Sequence, residues 1–188
     1  MTNIFEFRRN FSKGSGLYGN GDLLVFQRPA NLQAWNFLEQ IILNGKVGAI
    51  VGPRGVAKSI TALAFASLLN RDLWTITWIH LRHANNDFVR FTLGKKFNGS
   101  FELSELENAL YDDHKHILFL DGYSPNYQRW LGACHLWFES DRVNRRLVTI
   151  SSMTTGTHDK RRVTFQTESW TLPEYVNAIE SDIFFESI

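Results

Sequence analysis

Residues 47–60 constrain the fold more than any other stretch: Val-Gly-Ala-Ile-Val-Gly-Pro-Arg-Gly-Val-Ala-Lys-Ser-Ile. Val47, Ala49, Ile50 and Val51 form a short apolar run of the kind that makes a buried strand. A glycine-rich turn follows, and Lys58-Ser59 then opens a helical pattern. Strand, turn and helix in that order are the context required by G-x-x-x-x-G-K-[ST], with Gly52, Lys58 and Ser59 in place. One position departs from it: Ala57 stands where the second glycine belongs. In such a loop successive backbone N–H groups turn inward around an anion, and the helix N-terminus adds partial positive charge behind them. Some of these positions are left-handed, where alanine costs about 1–2 kcal/mol more than glycine. Phosphate binding can outweigh that cost, so Ala57 weakens the case for catalysis more than the case for a phosphate loop. The candidate contacts are Gly52, Pro53, Arg54, Gly55, Val56, Ala57, Lys58, Ser59 and Ile60.

At 188 residues the chain is long enough for one domain with a full core. A net charge of +1 gives no bulk electrostatic case for a nucleic acid or membrane partner. Cys134 has no cysteine to pair with, which excludes an internal disulfide and a cysteine-based zinc site and is compatible with a reducing compartment. The N-terminus lacks the apolar run of a secretory signal, and no stretch is long and apolar enough to span a membrane. An intracellular location is therefore the default expectation. The histidines include no H-x-x-x-H pair, and no G-x-S-x-G elbow occurs.

Residues 1–22 are polar and glycine-rich and read as an N-terminal arm; residues 23–188 read as the core. Leu23 and Phe26 bound a short strand. Asn31 is expected to cap a helix bearing Leu32, Trp35, Leu38, Ile41 and Ile42 on one face, ended by Asn44-Gly45. The helix after the phosphate loop is too apolar for a surface helix. Residues 74–81 read as a second strand, and 82–100 carry no clear pattern. Residues 104–107 have capping-box spacing within a helical pattern. Trp130, Leu131, Cys134, Trp137 and Phe138 share a helical face. Residues 146–152 read as a strand ending in hydroxyls, and 162–170 as the last strand. Thr171 is placed to cap a final helix containing Tyr175, Val176 and Ile179. Strands alternating with helices imply a parallel sheet covered on both faces, with a ligand at the strands' carboxyl ends.

His116-Ile-Leu-Phe-Leu-Asp121-Gly122 is the second key stretch: four apolar residues ending in a carboxylate. Beside a phosphate loop, Asp121 is placed to order Mg2+ together with the Ser59 hydroxyl. Ser151 and Ser152 are candidates to sense the γ-phosphate or its attacking water. Arg142, Arg145 and Arg146 form a cluster from which Arg145 could act as an arginine finger. Lys160, Arg161 and Arg162 form another that could meet a nucleic acid backbone, a weaker expectation. Gly122 follows Asp121 where many ATPases place a glutamate to orient water. With no guanine-reading Asn-Lys-x-Asp motif, ATP or ADP is the expected ligand, by elimination.

Taken together, Gly-Pro-Arg-Gly-Val-Ala-Lys-Ser-Ile, Ile-Leu-Phe-Leu-Asp-Gly, Leu-Val-Thr-Ile-Ser-Ser-Met and the closing Trp-x-Leu-x-Glu-Tyr at 170–175 resemble the P-loop NTPase module of Crinkler effectors and retrotransposon hot spot proteins. The resemblance covers residues 23–188. It implies a three-layer α/β fold with a mostly parallel central sheet, AAA-like, with an extra strand between the phosphate-loop strand and the Asp121 strand. It also implies β- and γ-phosphate contacts for Lys58, Mg2+ held through Ser59 and Asp121, and a sensor at Ser151 or Ser152. Secretion or a host nucleus would follow from the same family. The chain departs from it at Ala57 and Gly122, lacks a targeting header, and stops just after Tyr175, where a helical lid is expected. The expected function is therefore an ATP-binding switch or assembly device with weak or absent hydrolysis. Two other readings stay open: a degenerate P-loop scaffold for a protein partner or self-association, and a small nucleoside or nucleotide kinase.

Overall fold

The computed structural model describes residues 4–7, 17, 23–81, 87–92, 95–100, 115–152 and 162–180. Its elements, in chain order, are β1 (Ile4–Phe7), β2 (Leu23–Phe26), α1 (Pro29–Asn44), β3 (Val47–Val51), α2 (Lys58–Leu68), β4 (Trp74–His80), β5 (Asp87–Thr92), β6 (Lys95–Ser100) and β7 (Lys115–Asp121). A short 3-10 turn (Pro125–Tyr127) leads into α3 (Gln128–Glu139), β8 (Arg145–Ser151), β9 (Arg162–Gln166) and α4 (Leu172–Ile179).

The main sheet runs β6-β5-β4-β7-β8-β3-β9. The five strands from β4 to β9 are mutually parallel. The remaining two form an antiparallel extension, β5 on β4 and β6 on β5. β8 lies between the phosphate-loop strand β3 and the Asp121 strand β7. This is the expected AAA-like order, with the extra strand where the resemblance places it. β1 pairs antiparallel with β2 as a separate two-stranded sheet, so residues 4–7 of the N-terminal arm contribute a strand.

The strands at the centre are buried along nearly their whole length because both faces are covered, and their middles are mostly apolar. On one face Ile76, Trp78, Ile117, Phe119, Val148 and Ile150 pack under α1 and α2. On the other, Ile79, Leu118, Leu120 and Leu147 pack under α3 through Cys134, Trp137 and Phe138. Ile117 and Phe119 face one way and Leu118 and Leu120 the other, as the two-residue strand period requires. Burial pushes the Cys134 thiol up to about 12, which keeps it an inert core residue. α2 is buried along residues 61–66, as its apolar sequence demands.

Three boundary expectations change. Asn31 does not cap α1. Arg28 holds the cap position with Pro29 as the first helical residue, and Asn31 Nδ2 donates to Phe26 O at 3.2 Å instead. Proline at the first helical position supplies a preset φ and gives up no intrahelical bond. Leu32, expected on the buried face, is about half exposed, because Asn31, Ala34, Leu38 and Ile41 form the face that meets the sheet. The last strand ends at Gln166, not 170: Thr167 bonds Val51 O through its N–H (2.7 Å) and its Oγ1 (3.1 Å), which pulls the chain across the phosphate loop. Gly45 ends α1 as expected, and Thr171 caps α4 in a full capping box with Glu174. The helical pattern at 103–110, the loop at 153–160, and Lys160 and Arg161 lie outside the described residues. Among the described residues, no helix is long and apolar enough to cross a membrane.

Candidate functional site

The register of the parallel strands gathers the candidate residues at one edge. Val51 pairs with Ser151, Asp121 with Ile150, and His80 with Asp121, all at carboxyl ends. Gly52 continues from β3 with φ 148, and a Cβ there would stand 2.2 Å from Thr167 Oγ1. Only glycine lets the loop leave the sheet beneath Thr167. Gly55 and Ala57 both take positive φ, and Ala57 (φ 63, ψ 21) is the only non-glycine to do so among the described residues. The loop therefore keeps its left-handed position despite the alanine. The Ala57 carbonyl also accepts the first helical bond of α2, from Thr61 N at 2.9 Å.

Lys58 is nearly buried, and its Nζ folds back to donate to Gly52 O at 2.9 Å and to Pro53 O. Burial pulls its ammonium below the usual lysine range, with Asp121 pulling the other way. Asp121 is 2% exposed. One of its oxygens accepts from Ser59 Oγ at 2.7 Å, and the other meets His80 Nδ1 at 2.6 Å. A cavity of about 360 Å³ opens over these groups, lined by residues 54–60 with Leu17, His80, Asp121, Gly122, Ser151 and Ser152. Ser59 Oγ and Asp121 Oδ1 are hard oxygen donors within one hydrogen bond of each other. That chemistry fits Mg2+, which takes one or two protein oxygens and fills its octahedron with phosphate and water.

The other sequence candidates divide. Ser151 sits at the cavity but is buried, and its hydroxyl donates to Tyr123 O at 2.8 Å. Ser152 lines the cavity and is partly exposed. Arg145 is not brought to the site. It lies at the first residue of β8, opposite His116, while the site lies at the strand's last residue. Six residues of strand separate the two by roughly 20 Å. Arg145 Nη1 donates to Trp137 O at 2.7 Å, and its guanidinium stacks over the Trp137 ring at 5.1 Å. Arg146 donates to Ile42 O at 2.8 Å and to Val143 O at 3.0 Å. Both arginines close turns at the amino end of the sheet. Neither can act as an arginine finger or a kinase lid over this chain's own phosphate loop.

Sequence reasoning missed three contributors. His80 reaches Asp121 only through strand pairing, forty-one residues apart. Leu17, within the stretch read as an arm, lines the cavity and packs on the core. Arg28, 1% exposed, forms a two-bond ion pair with Glu174 (3.2 and 2.9 Å) and lies 4.5 Å from the Trp170 ring centre. Trp170 Nε1 in turn reaches Gly55 O at 3.4 Å. The Trp-x-Leu-x-Glu-Tyr stretch thus buttresses the phosphate loop from behind.

No family model and no curated protein matches this chain. Among solved structures it is similar to C. elegans PCH-2, with 9% identity and a TM-score of 0.52 over 98% of this chain and 53% of that one. A candidate ATPase from Cytophaga hutchinsonii aligns at 9% identity and a TM-score of 0.34, over 80% of this chain and 56% of that one. The chain thus spans about half the length of the structures it matches. With the strand order above, the fold is that of an AAA-like P-loop NTPase.

Proposed function

We propose that this chain is an ATP-binding P-loop module that works as a nucleotide-dependent switch or assembly device and cleaves ATP weakly. The carrying observation is the convergence of Lys58, Ser59 and Asp121 behind a loop that keeps its left-handed position at Ala57. On binding, Lys58 Nζ exchanges the Gly52 and Pro53 carbonyls for β- and γ-phosphate oxygens. Backbone N–H groups of residues 54–60 cradle the phosphates at the N-terminus of α2. Ser59 and Asp121 would hold Mg2+, which neutralises charge on the phosphate oxygens. Ser151 and Ser152 are the proposed γ-phosphate sensors, a role supported by their place in the cavity lining at the end of β8. Ala57 and Gly122 favour holding a nucleotide over cleaving it. Membership of the Crinkler and retrotransposon hot spot group, with secretion or nuclear action as its corollary, rests on the sequence resemblance and above all on the stretch at 170–175.

A second reading, a scaffold for a protein partner or self-association, is favoured by one observation. Leu172, Tyr175, Val176 and Ile179 form an exposed apolar stripe on α4. Thermal unfolding separates the two. At Mg-ATP one hundred times above its dissociation constant, binding adds about 2.7 kcal/mol and raises the midpoint by roughly 5–10 °C. No shift at millimolar Mg-ATP would leave the scaffold.

A further inference from the structure

We propose that His80 takes the place of the absent carboxylate after Asp121 and orients the attacking water during ATP cleavage, an inference that rests on the nucleotide-binding reading above. Gly122 cannot easily carry that carboxylate. Its φ is 77, and a Cβ would stand 2.8 Å from the Leu81 carbonyl oxygen. A water-orienting group must therefore come from elsewhere on the cavity wall. Ser59 and Asp121 are engaged with each other, and Ser151 Oγ is buried and donates to Tyr123 O, which leaves His80 and Ser152, the latter read above as facing the γ-phosphate itself.

His80 meets the requirement. It ends β4 in register with Asp121, lines the cavity, and its side chain is 19% exposed. The Asp121 carboxylate offers only acceptors, so Nδ1 carries the hydrogen of the 2.6 Å contact. In the neutral ring the lone pair then lies on Nε2. The Asp121 bond is the one polar contact that the His80 side chain makes among the described residues, and it leaves Nε2 to the cavity. His116, by contrast, spends Nε2 on Thr77 Oγ1 at 2.7 Å inside the core.

The step balances without net protonation of the ring. The water oxygen forms a bond to the γ-phosphorus while the bond to the β–γ bridging oxygen breaks. That electron pair leaves with ADP, and the water's proton departs to phosphate oxygen and solvent. His80 Nε2 accepts a hydrogen bond from the water and sets its direction. A glutamine plays this part in GTPases.

The test uses the full chain, with Mg-ATP affinity measured by calorimetry and phosphate release measured at saturating nucleotide. His80→Asn keeps an amide donor near Nδ1 for Asp121 and has nothing at Nε2. His80→Gln places an amide near Nε2. The wild type is expected to release phosphate slowly. His80→Asn should bind Mg-ATP within about threefold of wild type and release phosphate about tenfold slower or worse, with His80→Gln recovering part of the rate. His80→Asn cleaving at the wild-type rate would overturn the proposal. So would a folded His80→Asn that loses affinity and turnover together, since His80 would then only support Asp121. A wild type that binds Mg-ATP and releases no phosphate would also overturn it. A wild type that fails to bind Mg-ATP would instead overturn the binding reading, and this proposal with it.

Discussion

Replacing Ala57 with glycine should stabilise the protein, opposite in sign to the same change inside a helix. Ala57 holds φ 63 and ψ 21, where a Cβ costs about 1–2 kcal/mol. The strain cannot relax by starting α2 later, because the Ala57 carbonyl accepts the bond from Thr61 N. Glycine also frees the unfolded chain, which removes about 0.4–1 kcal/mol of stability. The balance favours glycine by about 1 kcal/mol, and in a chain of this length that raises the unfolding midpoint by about 2–4 °C. Ala66, in the same helix and fully buried, supplies the opposite control. Ala66→Gly loses about 1 kcal/mol of helix propensity and about 0.8 kcal/mol for a buried methyl. Its midpoint should fall by about 4–8 °C. Thermal unfolding followed by circular dichroism reads both variants. If Ala57→Gly lowers the midpoint as Ala66→Gly does, residue 57 is not left-handed and the phosphate-loop geometry is refuted.

Further expectations follow from individual contacts. Arg145→Ala should cost about 1.5–3 kcal/mol through its lost bonds to Trp137 O and Ser140 Oγ, yet leave Mg-ATP affinity unchanged, as calorimetry would show. Gly122→Glu should lose at least about 2 kcal/mol from the positive φ and the clash with the Leu81 carbonyl, and phosphate release should not rise. The Arg28 hydrogen bond holds the Glu174 carboxyl below its usual range, helped by the Thr171 N–H. A depressed carboxyl stabilises the folded state above its unfolded value of about 4.3 and loses that contribution as pH falls through the lower folded value. Glu174→Gln should therefore cost about 1–3 kcal/mol at pH 7, and the gap from wild type should close below about pH 4 in denaturant titrations.

The parallel core was legible because its signals are local. The apolar runs at β3 and β7, and the shorter Leu147-Val148 and Ile150 pattern at β8, have the length and β-branched content of strands buried on both faces, and the loop motif between β3 and α2 sets their polarity. The β5–β6 hairpin was not legible. Asp87–Thr92 and Lys95–Ser100 mix charged and apolar residues and form the antiparallel end of the sheet, so they present no continuous apolar run. Phe88 to Phe91 and then Phe97, around Leu93-Gly94, were the available hint. The distance of Arg145 from this chain's own phosphate loop follows from a polarity argument already present in the sequence. Arg145 precedes the apolar run of β8, so it must lie at the end away from Asp121. His80 was missed because its meaning arises only from register. A histidine ending one strand becomes part of a site when the neighbouring strand ends in an aspartate.

The central claim is that Lys58 and its loop hold a nucleotide. Calorimetric titration of wild type and Lys58→Ala with Mg-ATP and Mg-ADP tests it most directly. Saturable binding by the wild type, lost in Lys58→Ala without a change in fold, is the predicted result. Equal affinity in the two proteins, or no binding by the wild type at millimolar nucleotide, would contradict it.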